Sequence, residues 1–274
     1  MRILPLVAIS IFLSSVSAEA GPCRFSSKRF SGNPIEQARC LLRTIFPGGI
    51  VSTKPADLPK VLEARVGTKI NLKRKELDGY LQQKHLSSRE LAGDLGDPVS
   101  KSQLGTRALY FVIHDTSDEL RGRKFPANIN ERSWFGNNLR RRDISEAHVF
   151  INRLGESASD NDYLKVVAAT KREVRNEEIE GLFLHHELVQ PRISGKGFGY
   201  GAIGPSPGFT AAQYERLALL YVIASFRRGV WLIPAFHCTM DEGIPDGHDD
   251  PQNFDLAQFG LALENILGSI ERGK

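Results

Sequence analysis

Tyr110-Phe-Val-Ile-His114-Asp-Thr-Ser117 passes from a continuous apolar run into four polar residues within eight positions. An aromatic and β-branched run of that length reads as a buried strand whose end opens into a loop. Leu182-Phe-Leu-His-His-Glu187-Leu-Val189 has the same character but carries ionisable groups in its middle. Working outward, the runs Ala108–Ile113, Ala147–Ile151, Leu164–Ala169, Gly181–Val189 and Val230–Phe236 are all predicted strands. Two helices accompany them. Thr210 followed by Gln213 forms a capping box, Leu217, Leu220, Tyr221 and Ala224 share one face, and Gly229 ends the first helix; the second covers Leu256 to Leu267. Strands and helices interleaved in this order predict an α/β (α+β) fold, a mixed central β-sheet flanked by helices.

The 274 residues are 41% hydrophobic and 25% charged, which suits a globular chain and excludes disorder as the main theme. Residues 1–20 read as a cleavable export signal: Met1-Arg2, an apolar run from Ile3 to Val16, then Ala18-Glu19-Ala20. Pro22 before Cys23 argues against a lipid anchor, and no segment approaches the roughly 20 apolar residues of a membrane span. Residues 21–104 form a mostly helical N-terminal region with breaks at Pro47-Gly48-Gly49 and Asp97-Pro98; residues 105–274 hold the predicted sheet. Of three cysteines, Cys23 and Cys40 are either a short bridge or two free thiols, and Cys238 is left over. A formal charge of +4 suits an anionic wall or envelope surface. Arg140-Arg141-Arg142 lacks interleaved aromatics and reads as a solvated loop rather than a nucleic-acid surface. Gly199-x-Gly201-x-x-Gly204 matches a dinucleotide fingerprint only formally, since Pro205-Ser206-Pro207 follows where a helix should open; the loop from Gly195 to Gly208 reads better as a lip over a groove.

Histidine supplies the chemistry. His114 and His237 each close an apolar run, and Asp250 follows His237 by thirteen residues, just before the second helix. Two imidazoles and a carboxylate from separate loops would hold zinc and leave a fourth position for water. Alone this is a weak signal, because a strand-end histidine is more often structural and Asp before Pro is often a cap. Strand alternation puts Phe183, His185, Glu187 and Val189 on one face and His186 on the other. A carboxylate in an apolar strand is either paired, with Arg192 the nearest partner, or functional as a base of raised pKa. No serine or cysteine has an evident partner base.

Taken together, Tyr110-Phe-Val-Ile-His114-Asp-Thr-Ser, Ala147-His148-Val-Phe-Ile-Asn-Arg-Leu-Gly155, Leu182-Phe-Leu-His-His-Glu187 and His237 followed by Asp249-Asp250-Pro251 resemble the N-acetylmuramoyl-L-alanine amidase type 2 family, the zinc peptidoglycan amidases related to phage lysozyme amidases and peptidoglycan recognition proteins. The resemblance covers about residues 105–268 and leaves the N-terminal region outside it. It implies a peptidoglycan-amidase-like sheet, zinc on His114, His237 and Asp250, Glu187 as catalytic base and His248 as stabiliser of the developing oxyanion. It gives His148 a structural or groove-lining role. The substrate it implies is peptidoglycan or a muropeptide, cut between N-acetylmuramic acid and L-alanine. Two alternatives stand beside it: a relative that binds muropeptides without cutting them, a class that typically loses a metal ligand whereas a full set is present here, and an exported wall-lytic effector with the same chemistry. Glu242-Gly243-Ile244-Pro245 lengthens the spacing from His237 to Asp250, which leaves Asp249 and His248 as alternative third ligands, and His185 could join the site.

Overall fold

The computed structural model describes residues 23–194 and 202–272. The expected export signal and the Gly195–Gly201 part of the glycine-rich loop lie outside the described residues. The central sheet has five strands, β1 (Tyr110–Asp115), β2 (Val149–Ile151), β3 (Ser157–Ala158), β4 (Phe183–Leu188) and β5 (Ile233–Phe236), in the order β5-β1-β4-β2-β3. Pairings are parallel except that of β2 with β3. The sheet is therefore mixed, as predicted. All six residues of β1 are buried, which explains why its sequence is a continuous apolar run rather than an alternating one.

Four helices of eight residues or more occur among the described residues: α1 (Pro34–Leu41), α2 (Arg74–Gln83), α3 (Ala211–Arg228) and α4 (Leu256–Arg272). The start of α3 follows the sequence signal: the Thr210 hydroxyl accepts from the Gln213 amide while the Gln213 side chain accepts from the Thr210 amide. Gly229 ends it at φ 83°, a left-handed conformation in which a Cβ would be strained. Its predicted apolar face, Leu217, Leu220, Tyr221 and Ala224, is fully buried, and α4 packs against it.

The N-terminal region contributes to the same core. Phe30, Leu41, Leu62 and Leu77 belong to one apolar cluster with Tyr110, Phe183 and Leu220, and α1 lies against the edge strand β5. Cys23 and Cys40 are bridged, and Cys238 is free and buried. Behind the bridge, the buried Arg43 guanidinium donates to the carbonyls of Cys40 (2.8 Å) and Ser52 (3.1 Å) and pairs with Glu242. The Thr239 hydroxyl donates to the Leu41 carbonyl at 2.6 Å. The segment that lengthens the His237–Asp250 connection is thus the segment that the N-terminal region holds.

One predicted strand is absent. Leu164–Ala169 is irregular: both edges of β2 are taken by β4 and β3, and the run pairs with no strand among the described residues. Its apolar side chains divide accordingly: Val167 is buried while Leu164 and Val166 are exposed.

The Tyr110 hydroxyl joins the two halves, accepting from the Phe30 amide at 3.0 Å and donating to Gln37 Oε1 at 2.9 Å, both in buried surroundings. We expect Tyr110→Phe to keep the fold but to lose about 1–3 kcal/mol, because a buried N–H is left without an acceptor. The urea midpoint of the variant against the parent measures this.

Candidate metal centre

Parallel register aligns the site. Ile113 pairs with Phe236 and His114 with Glu187, so His237, His114 and Glu187 form a row at the carboxyl ends of β5, β1 and β4. Ligand sites of parallel sheets characteristically lie at these ends. His185, two residues before Glu187, falls on the same face beneath His114, while His186 faces the other way and stacks on Phe111 at 3.7 Å between ring centres. The alternation read from the sequence holds.

His114, His237 and Asp250 converge on one buried point and together could hold a metal ion. His114 Nδ1 lies 2.9 Å from His237 Nδ1, which lies 3.3 Å from Asp250 Oδ2; that oxygen is 3.8 Å from His114 Nδ1. The outer partners fix the tautomers. Glu173, fully buried, only accepts, so His185 Nε2–H donates to it at 3.1 Å and leaves His185 Nδ1 as an acceptor. His114 Nε2–H donates to that nitrogen at 3.0 Å, and its own Nδ1 is left with a lone pair. His237 Nε2–H likewise donates to Asp241 Oδ2 at 3.1 Å, directing its Nδ1 lone pair at the same point. Two lone pairs and a carboxylate aimed at each other are held together by a cation or by a shared proton. Outer-sphere carboxylates of this kind orient metal-binding imidazoles and raise their basicity.

The other candidates fall around this set. Asp249 is engaged elsewhere, accepting from Gln252 Nε2 at 2.7 Å, while Asp250 Oδ2 accepts from the Asp115 amide at 3.1 Å. His248 stands at the rim, its side chain 55% exposed and its ring 4.5 Å from that of His237. Glu187 is not paired with Arg192, whose guanidinium is committed to Asp115 at 2.7 Å. Instead Glu187 Oε1 lies 3.7 Å from His114 Nδ1, and its buried Oε2 has no hydrogen-bond partner among the described residues. His148 is structural: Nδ1 accepts from the His185 amide at 3.0 Å and Nε2–H donates to the Lys165 carbonyl at 3.1 Å. His114, Glu187, His237, His248 and Asp250 open into one cleft of about 510 Å³.

Burial works against charge here and the carboxylates work for it. Burial alone would lower the pKa of His237, but Asp250 and Asp241 on its two sides raise it to about 10. His114 is driven well below the usual imidazole range by burial and by the positive charge of His237. Burial, reinforced by the Asp250 charge, lifts Glu187 well above the usual carboxylate range.

Sequence reasoning missed Glu173 and Asp241. Asp241 carries a readable signal, since it follows His237 by one helical turn; Glu173 arrives from the short helical turn Lys171–Val174 and carries none. A scan against family models, a search of curated proteins and a search of solved structures each found no match to this chain.

A divalent ion entering the site must displace the proton that His237 retains up to about 10. Affinity should therefore rise about tenfold per pH unit between pH 6.5 and 8.5, measured by competition with a chelator. Asp241→Asn should weaken binding about 10- to 100-fold at fixed pH without changing the fold.

Proposed function

We propose that this chain is a zinc-dependent amidase that hydrolyses the bond between N-acetylmuramic acid and L-alanine in peptidoglycan or its fragments, and that residues 1–20 direct its export. The observation that carries the hydrolytic part is Glu187: a buried carboxylate oxygen without a partner among the described residues, beside His114 and in the cleft of the metal set. The four ordered motifs carry the substrate class. Zinc fits the donor set, because a tetrahedron with arms of about 2.0–2.1 Å has edges near 3.3 Å, and the three donor separations are 2.9, 3.3 and 3.8 Å.

A zinc ion held by His114, His237 and Asp250 supplies Lewis-acid polarisation and a more acidic water. Glu187 takes the proton of the attacking water, a task for which its raised pKa suits it, and returns a proton to the departing amine of L-alanine. His248, at the mouth of the cleft, is placed to offer an N–H to the oxyanion as the carbonyl carbon becomes tetrahedral. His185 and Glu173 keep His114 in one tautomer throughout. Covalent catalysis is disfavoured by the surroundings of the hydroxyl and thiol groups near the cleft. The Ser117 hydroxyl donates to Asp115 at 2.9 Å, and the Cys238 thiol is buried against the Gly49 carbonyl with its pKa pushed up to about 12 by burial.

Incubation with sacculi or soluble muropeptides should release intact stem peptides with a free L-alanine amine, seen by mass spectrometry, with loss on chelation and recovery on adding zinc. Binding without release in zinc-replete buffer would instead make this a recognition protein. Glu187→Gln should lower kcat by about 10²–10⁴ while bound zinc is unchanged; wild-type turnover in that variant would remove Glu187 from the reaction.

A further inference from the structure

The run Leu164–Ala169 reads as a strand and joins no sheet among the described residues. From Val166 to Ala169 the chain has no helix, turn or bend, and none of its main-chain N–H or C=O groups has a partner among the described residues. Val167, Ala168 and Ala169 line the same cleft as Glu187 and the metal set. Unpaired backbone in a straight run is a template for another extended chain.

We propose that Val166–Ala169 is a binding edge for the peptide portion of the substrate, which it takes as an extended chain through main-chain hydrogen bonds; this rests on the amidase reading and adds the subsite that positions the leaving group. The edge is stiff and tied to the site. Before it, His148 Nε2–H holds the Lys165 carbonyl; after it, Thr170 caps the Lys171–Val174 turn, whose first two amides donate to Asp241 at 2.9 and 3.0 Å. The residue that orients His237 therefore also sets the height of the edge. Nothing charged projects from the run itself, and Lys165 is drawn aside by Asn161 at 2.6 Å. Four residues in line span about 10 Å, enough to pair with the first two or three residues beyond the scissile amide.

Neighbouring N–H groups in a straight run point to opposite sides, so only one of Ala168 and Ala169 directs its donor to the cleft. Steady-state hydrolysis of a soluble muropeptide should then separate Ala168→Pro from Ala169→Pro. One variant raises KM about five- to tenfold, the loss of one hydrogen bond, with kcat and bound zinc unchanged; the other stays within about twofold of the parent. The unaltered protein should show the same rise in KM for a muropeptide N-methylated at the first peptide amide beyond the scissile bond. Parental KM in both proline variants, or for the N-methylated substrate, overturns the proposal. If neither variant folds, the N-methylated substrate decides alone. If the parent protein hydrolyses no muropeptide, the amidase reading fails. Calorimetry with the free stem peptide then judges the edge separately: binding weakened by N-methylation upholds it, and binding that is absent or insensitive to N-methylation overturns it.

Discussion

Parallel pairing of three strands is the constraint on which the site depends. Neighbouring strands stand about 4.8 Å apart, and the register places His237, His114 and Glu187 side by side at their carboxyl ends. Because side chains alternate along a strand, a slip of one residue in β4 would turn Glu187 and His185 away and bring His186 round in their place. The stacking of His186 on Phe111 and its 2.6 Å contact with the Tyr163 hydroxyl, on the opposite face, oppose that slip. The face that carries the metal set is thus kept in register partly by packing on the far face.

The electrostatic design follows from burial. Asp250, Asp241, Glu173, His114, His185 and His237 are all almost inaccessible to water. Ionised groups in such surroundings are tolerated only where opposite charges or hydrogen bonds compensate them. Asp241 and Asp250 make His237 hold positive charge tenaciously, whereas His114, flanked by two imidazoles, rejects it. The two imidazoles can both face a common cation only when that cation replaces the proton of His237.

Local signals were legible and distant ones were not. The Thr210–Gln213 box, the apolar face of α3 and its stop at Gly229 are set by residues within a few positions of one another, and all appear as read. His114, His237 and Asp250 were recognisable because each ends an apolar run or precedes a helix. The order of four motifs then suggested that they meet. Leu164–Ala169 was misread because apolar β-branched composition reports neither burial nor whether a neighbouring strand is available: only Val167 of the run is buried. Glu173 was invisible for a different reason: the pairing with His185 depends on how a short turn folds back across the sheet, and no spacing records that. The same holds for Arg43 and Glu242, separated by 199 positions.

That last contact, with Thr239 to Leu41 at a separation of 198, couples the N-terminal region to the turn after β5. The Cys23–Cys40 loop, of separation 17, can close from local collisions, but the surface that receives α1 and Arg43 consists of β5 and the turn after it. Closing so long a loop has a large entropic cost until the intervening sheet has formed. The segment between His237 and Asp250 is therefore held by residues nearly two hundred positions earlier.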